Sequence, residues 1–200
     1  SIIKVGEPIV EGPFKFTILS PDEEKLRKLL CIWPKEESYV ETSSTKTDYS
    51  MTFEELIASD KFIPDTSITN GSSIAFILEV EDKRFLFLGD SHEDIIVQEL
   101  TKLGYSVENK LFIDFIKLSH HGSQYNTSMK FLSLIDSPRF IVSTNGLRHG
   151  LPNKRTIARI LKETSGKVYF NYENVKEKIL LNTELEYSDR LEVLEKEIRF

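Results

Sequence analysis

Two dense apolar runs, SIAFILEV (73–80) and RFLFLGD (84–90), constrain the fold of this chain more than any other feature. Their bulky residues are typical of strands, and the polar turn EDK (81–83) between them predicts an antiparallel hairpin. Because both runs are almost continuously apolar, we expect strands that are buried on both faces of a layered structure. The second run ends at Gly89 and Asp90, so a carboxylate directly follows a buried strand.

Predicted strands and helices alternate along the rest of the chain. Strands are predicted at 14–19, 111–118 and 139–146, and helices at 21–30, 92–105, 126–135 (with Asn126 or Thr127 as the cap) and 152–166. We expect an insertion or mobile loop at 34–72 around a helical turn at 52–58, a closing hairpin within 167–185, and an acidic tail (187–200) that is a short helix or disordered. This succession predicts one α/β (α+β) domain, a layered sandwich over residues 1–200.

The composition narrows the possible functions. The 200 residues include 26 basic and 32 acidic ones, and the net charge of −6 argues against non-specific coating of nucleic acid while leaving room for a local phosphate site. The single cysteine, Cys31, excludes an internal disulfide and a multi-thiolate zinc site. There is neither a membrane-length apolar run nor a signal-like segment, so we expect a cytoplasmic protein with no membrane segment.

Polar clusters follow three of the predicted strands: DSHED (90–94), HHGS (120–123) and NGLRHGLP (145–152). Strand ends at one edge of a sheet are where separate segments converge on a ligand. Carboxylate and imidazole together form a ligand set that suits zinc or manganese. A glycine beside such ligands lets a backbone, a metal or a phosphate approach closely.

Taken one at a time, these residues favour ordinary structural roles. Asp90 is typical of a turn or a helix N-cap, His92 of an exposed first helical turn, and Ser123 of a local hydrogen bond within a turn. His149 beside Arg148 is typical of a solvated surface pair. A solvated helix face accounts in part for a run of basic residues: Arg148, Lys154, Arg155, Arg159 and Lys162.

Taken in order, however, the segments resemble the C-terminal half of the metallo-β-lactamase fold. Within that superfamily they are most similar to the hydrolase domain of the ComEC-type DNA-uptake proteins. The likeness covers almost the whole chain: KVGEPIVEGPFKFTILSPDE (4–23), NGSSIAFILEVEDKRFLFLGD (70–90), IKLSHHGSQYNTSMKFL (116–132) and SGKVYFNYENVKEKILL (165–181). Its specific part is Gly-Asp followed by His-His-Gly-Ser, 30 residues apart and each behind a predicted strand.

This resemblance implies a metal-dependent hydrolase with two divalent cations, Zn in the first place and Mn as the alternative. Asp90 matches the carboxylate that bridges the cations, and His120 matches the late imidazole ligand, with His121 as the alternative. The ComEC-like sequence implies a phosphodiester substrate, DNA or a nucleotide. The residues implied in substrate binding are Ser123, Asn145, Arg148, His149 and Lys154, with Arg155 adding positive charge.

The chain departs from the family pattern in two places. Where the family has a Tyr-Gly-His-Pro-like sequence, His149 takes the aromatic position and Leu151 replaces the histidine. The principal metal motif, His-x-His-x-Asp-His, belongs to the family's N-terminal half, whereas the first histidine here is His92. We therefore expect this chain to supply about half of a dinuclear site beside an N-terminal half in the same or a partner chain, and to aggregate or self-associate when alone.

Two other functions are consistent with the residues. A degenerate member of the superfamily, without the metal site, would be a non-catalytic binding or assembly module. Metal-independent acid–base catalysis by Asp90, Glu93 and Asp94 is the weaker alternative, because adjacent acids in the first turn of a helix usually complement its dipole. A His-x-His-x-Asp-His segment upstream in the intact gene product would favour the enzyme.

Overall fold

The secondary structure follows the apolar pattern of the sequence over most of its length. The computed structural model describes residues 2–33, 47–147 and 149–194. The strands are β1 (Ile9–Glu11), β2 (Phe14–Ser20), β3 (Ala75–Val80), β4 (Lys83–Phe87), β5 (Leu111–Phe112), β6 (Phe115–Lys117), β7 (Ile135–Asp136), β8 (Arg139–Val142), β9 (Lys167–Phe170) and β10 (Leu191–Val193). The helices are α1 (Glu23–Ile32), α2 (Phe53–Ala58), α3 (Ile68–Gly71), α4 (Glu93–Lys102), α5 (Met129–Ser133), α6 (Lys154–Glu163) and α7 (Glu173–Ile179). Within these described ranges, no helix has the length and apolar character that crossing a membrane requires.

One mixed sheet organises the fold, with the strand order β1-β2-β3-β4-β6-β8-β9-β10. The strands from β1 to β4 are antiparallel neighbours, and from β4 onward each strand runs parallel to the next one in the sheet. The predicted hairpin is confirmed, since β3 pairs with β4 across a short turn. β5 and β7 form a separate parallel pair. The chain therefore has a mixed α/β fold.

One face of the sheet carries the hydrophobic core. A row of paired residues crosses it, from Ile77 through Leu86, Ile116 and Phe140 to Val168. All five side chains are buried. Residues of α4, α6 and α7 join the same core, namely Ile95, Leu100, Ile157, Ile160, Val175 and Ile179. Burial of each such side chain contributes about 1.5–3 kcal/mol to the free energy of folding. This face therefore holds the helices against the sheet.

The opposite face of the sheet carries a cluster that we call the phenylalanine face: Phe14, Phe16, Phe76, Phe85, Phe87 and Phe115. Phe85 and Phe115 are paired residues with ring centroids 4.7 Å apart, and Phe76 stacks on Phe87 at 5.2 Å. None of the cluster belongs to the buried core, and Phe14 is 41% exposed. The described residues thus cover one face of the sheet well and the other only in part, whereas the apolar runs predicted burial on both.

The predicted strand 111–118 is divided in two. Leu111–Phe112 pair with Ile135–Asp136, and only Phe115–Lys117 join the main sheet. Asp114 explains the division, because its N–H donates to the carbonyl of Arg84 and its carboxylate accepts from the N–H of Arg84, both at 2.8 Å. These two bonds anchor the start of β6 beside β4.

The predicted closing hairpin is wrong, as is the predicted cap of α5. Residues 173–179 form helix α7, and the strand beside β9 is β10, which runs parallel to it. Val175 and Ile179 are both buried, and a spacing of four residues places them on one helix face. The cap of α5 is Ser128, whose hydroxyl accepts from the N–H of Phe131.

The described part of the predicted insertion, residues 47–72, packs against the rest of the fold. Phe53 and Leu56 of α2 are buried in the core. Asp60 pairs with the buried side chain of Arg159 at 2.8 Å. This stretch is therefore part of the packed domain rather than a mobile loop, while 34–46 of the insertion and 195–200 of the predicted tail lie outside the described residues.

Candidate functional site

Two polar turns meet at one edge of the sheet. Gly89 and Asp90 follow β4, and Ser119–Gly122 follow its parallel neighbour β6. Parallel strands end at the same edge of a sheet, so the turns lie side by side. The N–H of His120 donates to the carbonyl of Gly89 at 2.9 Å. The structure therefore brings together Asp90 and His120, to which the sequence assigned the central roles.

Each of the two turns contains a glycine that its surroundings require. Gly89 has a φ of +53°, and a β-carbon there would lie 2.8 Å from the carbonyl oxygen of Ile74. Gly122 has a φ of +87°, and its β-carbon would lie 2.8 Å from the side chain of Pro152. Both positions combine a left-handed backbone with too little space for a side chain, so both turns require glycine.

The histidine pair lies on a strained backbone. His120 has a φ of 43° and His121 a φ of 56°, both in the left-handed region. Such a conformation costs about 1–3 kcal/mol for each non-glycine residue and persists only where the surroundings fix it. Two backbone bonds fix it here, from His120 to Gly89 and from the N–H of Ser123 to the carbonyl of His120. The ring centroids are 6.3 Å apart, so the turn presents two separate imidazoles.

The half-buried ring of His120 lies beside Asp65. Its Nδ1 is 3.6 Å from Oδ2 of Asp65 and 3.4 Å from Nδ2 of Asn70. Hydrogen bonding to Asp65 raises the pKa of His120, burial opposes this, and the negative charge of Asp90 adds to the increase. Asp65 and Asp90 thus place negative charge near this ring, which favours its protonated form.

Asp65 is a site residue that sequence reasoning missed. Its carboxylate accepts hydrogen bonds from the N–H of Ser67 at 2.8 Å, from Nδ2 of Asn70 at 2.8 Å and from Nδ2 of Asn126 at 3.1 Å. Burial raises the pKa of Asp65, but these bonds and the one from His120 outweigh it and hold the pKa well below its usual range. Asp65 lies in the segment 34–72, which the sequence predicted to be an insertion or mobile loop, and no motif or periodicity marks it there.

His121 is exposed, and one of its two ring nitrogens is engaged in a hydrogen bond. Its Nδ1 lies 2.6 Å from the carbonyl oxygen of Ser143. A carbonyl only accepts, so Nδ1 carries the proton, and Nε2 of the neutral ring is unprotonated. His121 therefore presents a nitrogen of the type that binds a metal ion.

His92 has a structural role and is not the exposed first-turn residue that the sequence predicted. It occupies the N-cap position of α4 with its side chain 12% exposed. Its Nε2 lies 2.8 Å from the carbonyl oxygen of Ser67, and its Nδ1 lies 3.1 Å from Nζ of Lys25. The carbonyl requires a donor and the ammonium an acceptor, so both ring nitrogens are occupied.

The residues predicted to contact substrate differ in their local settings. Ser123 is buried, and its hydroxyl accepts from the N–H of Tyr125 at 3.2 Å, the local hydrogen bond typical of a turn. Asn145 is exposed and accepts from the N–H of Leu147 at 3.1 Å. His149 has a left-handed backbone with a φ of 60°. Arg148 lies outside the described residues.

The predicted substrate contact of Lys154 is wrong, because this side chain is fully buried. Its Nζ pairs with Glu184 at 2.5 Å and lies 4.6 Å from the ring centroid of Phe53. Arg155 and Arg159 likewise turn to the interior, where both guanidinium groups pair with Asp60. These cations hold α6 against the rest of the fold instead of forming a solvated, substrate-binding face.

Lys117 supplies a positive charge close to Asp90. It pairs in register with Phe87 on the sheet face that carries the phenylalanines, and its Nζ donates to the carbonyl of Leu118 at 2.8 Å. Burial lowers the pKa of Lys117, and the charge of Asp90 opposes that change. The charge of Asp90 thus acts on both the partly desolvated ammonium of Lys117 and the ring of His120.

The donor types at the site suit a zinc or manganese ion, since a carboxylate and imidazoles are suitable ligands for both. Among the described residues, however, no group of three or more His, Cys, Asp or Glu side chains is arranged to hold a metal ion. Within the described chain, Asp90, His120 and His121 thus supply suitable donor types but not an arranged ligand set.

Comparisons of the chain with protein-family models, with curated proteins and with solved structures found no match. The resemblance to the metallo-β-lactamase fold therefore stays an expectation from the motifs and their order in the sequence.

Proposed function

We propose that this chain is the C-terminal half of a metal-dependent hydrolase of the metallo-β-lactamase type, and that it acts on a phosphodiester. The meeting of the two polar turns carries this proposal. Gly89-Asp90 and His120-His121-Gly122 follow neighbouring parallel strands, and the bond from His120 to Gly89 holds them together at 2.9 Å. The two turns also contain two glycines without space for a β-carbon and a strained histidine pair. Two unrelated surface turns would require neither these features nor such proximity.

Asp90 and His120 are the residues of this chain that would hold the cations, with His121 as the alternative imidazole ligand. The chemistry that such ions supply is the activation of a water molecule and the neutralisation of charge on a phosphoryl oxygen. The chain's own contribution is orientation. Ser143 holds the ring of His121 through its carbonyl, and Gly89 fixes the backbone of His120. Lys117 balances part of the charge of Asp90.

The phenylalanine face supports the view that this is one half of a larger fold. In a two-sheet sandwich the inner faces of the sheets interdigitate across a layer about 10 Å thick. A sheet face that presents several partly exposed phenylalanines in mutual contact is suited to such a layer. We therefore propose that the N-terminal half, in the same polypeptide or in a partner chain, covers this face and brings the remaining ligands.

We propose a phosphodiester as the substrate because of the ComEC-like motifs, and not because of a basic cleft. Lys154 and Arg155, which the sequence placed beside the substrate, are engaged with Glu184 and Asp60 in the interior. The compensation of phosphate charge is therefore assigned to the cations rather than to these side chains. Turnover of a lactone or a thioester, with no phosphodiester accepted, would place the enzyme in another branch of the superfamily.

The phenylalanine face also favours a second candidate, a non-catalytic binding or assembly module. In that case the apolar face would be the functional surface, and the turns at Asp90 and His120 would be structural. The two candidates differ in what they require: the enzyme needs cations at the turns, and the module needs only a partner at the sheet.

Elemental analysis of the intact gene product, purified without chelator, separates them. The enzyme predicts about two zinc or manganese ions per molecule, and hydrolysis of bis(p-nitrophenyl) phosphate that chelation removes and added metal restores. A metal-free intact protein that hydrolyses no phosphodiester with either ion added would overturn the enzyme and leave the module.

A further inference from the structure

The Nδ1 atom of His120 has two neighbours with opposite requirements. Oδ2 of Asp65, at 3.6 Å, only accepts, so it favours a proton on Nδ1. Nδ2 of Asn70, at 3.4 Å, only donates, so it favours an Nδ1 without a proton. The tautomer of the neutral ring, and with it the nitrogen that is left to bind a ligand, depends on which neighbour prevails.

We infer that Asp65 is a positioning residue that keeps the proton of the neutral His120 ring on Nδ1 and thereby leaves Nε2 unprotonated. Asp65 itself binds no ligand in this scheme and acts through His120 alone. The use of Nε2 as a cation ligand rests on the proposed function, whereas the control of the tautomer does not. A carboxylate that fixes a metal-binding imidazole in this way is a recurrent device in proteins.

The negative charge of Asp65 decides between the two neighbours. Oδ1 of Asp65 accepts from Ser67, whereas Oδ2, the oxygen nearest Nδ1 of His120, accepts from Asn70 and Asn126. His120 is therefore a third donor to Oδ2, attracted by the charge of the carboxylate rather than by an open acceptor site. The amide of Asn70 already donates to Asp65 at 2.8 Å, much closer than its approach to the imidazole. A hydrogen bond to an ionised oxygen is also about twice as strong as one between neutral groups.

Several segments of the chain hold Asp65 in place beside the ring. Its N–H donates to the carbonyl of Tyr125 at 2.9 Å. The buried amide of Asn126 donates to the carboxylate and also lies 3.1 Å from the carbonyl of Ser91 and 3.4 Å from that of Asp90. Asn126 thus links Asp65 to the backbone of the Gly89-Asp90 turn. Asp65, which orients His120, and Asp90, which lies beside it, therefore belong to one hydrogen-bond network.

The test is the tautomer of His120, read from the ring 15N chemical shifts of histidine-labelled protein in solution alkaline enough to keep the ring neutral. We expect the Nδ1–H form in the unmodified chain. In Asp65→Ala, the amide of Asn70 becomes the hydrogen-bonding neighbour of Nδ1, and we expect the ring to change to the Nε2–H form. Asn70→Ala is the matched control, because it removes the competing donor and should leave the Nδ1–H form in place.

The outcomes separate this inference from the proposed function. An Nε2–H ring in the unmodified chain, or an Nδ1–H ring that persists in a folded Asp65→Ala variant, overturns the role of Asp65. Asp65→Glu, which keeps the carboxylate, should restore the Nδ1–H form. If Asp65→Ala does not fold, the unmodified chain and Asn70→Ala still decide the tautomer. The expected tautomers in an intact protein that binds neither Zn²⁺ nor Mn²⁺ would uphold Asp65 and refute the metal site.

Discussion

Lys154 and Glu184 form an ion pair in the interior, with Nζ 2.5 Å from a carboxylate oxygen and both side chains almost fully buried. Glu184 also accepts from the N–H groups of Phe53 and Leu181. A single carboxylate thus joins α2, α6 and the segment after α7. Burying two charges costs desolvation energy, and this geometry offsets the cost through several charge-assisted hydrogen bonds.

Removing one partner of this pair should destabilise the fold strongly. Lys154→Met leaves Glu184 buried without its counter-charge, so we expect the free energy of unfolding to fall by about 3–5 kcal/mol. Urea denaturation measures this. Lys162→Ala, an exposed lysine on the same helix, is the control and should change stability by less than about 0.5 kcal/mol. A Lys154→Met variant of normal stability that has lost phosphodiester binding would restore the role that the sequence suggested.

Lys154 shows what a local pattern in the sequence cannot specify. The 3.6-residue period of α6 predicts the helix and its apolar side, but the burial of a lysine depends on Glu184, which is 30 residues away in the chain. Asp65 was missed for a similar reason, since its partner His120 lies beyond four strands and two helices in the chain. Neither contact leaves a periodicity or a motif in the sequence.

The elements that sequence did predict are those specified by their own residues. The β3–β4 hairpin follows from two apolar runs around a short polar turn, and α4 from its apolar spacing and a terminal Gly104. The prediction of the closing hairpin was wrong because Ile179 has an apolar residue four positions before it, Val175, and another two positions after it, Leu181. The first spacing is helical and the second is that of a strand, so the pattern fits both. Packing of Val175 and Ile179 on the core selects the helix.

Asp90→Ala in the intact protein should remove metal and hydrolytic activity together. A bridging carboxylate serves both cations, so its loss should affect both at once, while a strand-end side chain with few packing contacts should contribute little to stability. Elemental analysis, turnover of bis(p-nitrophenyl) phosphate and a thermal melt measure the three effects. Asp94→Ala is the control, because Asp94 is an exposed carboxylate that pairs with Lys25. A variant at Asp90 that keeps both metals and full turnover would show that this residue only forms a turn.

The paired histidines should differ in their effect on turnover. We expect His120→Ala to abolish activity in the intact protein, and His121→Ala to lower it by about 10–100-fold, as for a residue that orients a ligand. Initial rates with the same substrate measure the difference, and Gln98→Ala on the exposed surface of α4 is the control. Equal and small losses from both substitutions would remove the pair from the site. The reverse ranking would make His121 the ligand.

Stability should fall in acid because Asp60 and Asp65 are held by partners in the folded state. Burial raises both pKa values, but the guanidinium of Arg159 lowers that of Asp60, hydrogen bonds from His120 and Ser67 lower that of Asp65, and the net pKa of each is depressed. A depressed folded pKa contributes stability that is complete above the unfolded value of about 3.9 and is lost as the pH falls through the folded value.

Urea midpoints between neutral pH and about pH 2 test this expectation. Asp60→Asn should be less stable than the unmodified chain at neutral pH, because Arg159 loses its counter-charge, and its midpoint should depend less steeply on pH below about 4. An unchanged acid slope in that variant would contradict the assignment for Asp60.

The phenylalanine face leads to the expectation that these 200 residues associate when expressed alone. Apolar surface left in water costs roughly 25 cal/mol per Å² relative to burial, and contiguous patches of this kind usually mark an interface. Phe85 and Phe115 are paired within the face, so Phe85→Glu with Phe115→Glu places two charges where a second layer would pack. Sedimentation velocity over a range of concentrations should show self-association of the unmodified chain and a shift toward monomer in this variant.

The control for that experiment is Leu103→Glu, at an exposed apolar residue outside the phenylalanine face, which should associate like the unmodified chain. Adding the N-terminal half of the fold, as a separate chain or in the intact polypeptide, should suppress the association by covering the same face. Metal binding should be weak before that addition and tight after it, because the proposed function assigns the remaining ligands to that half. A soluble, cooperatively melting monomer of the 200 residues would contradict this expectation, because a sheet face that is stable in water needs no second layer, and it would favour the binding module over the half-enzyme.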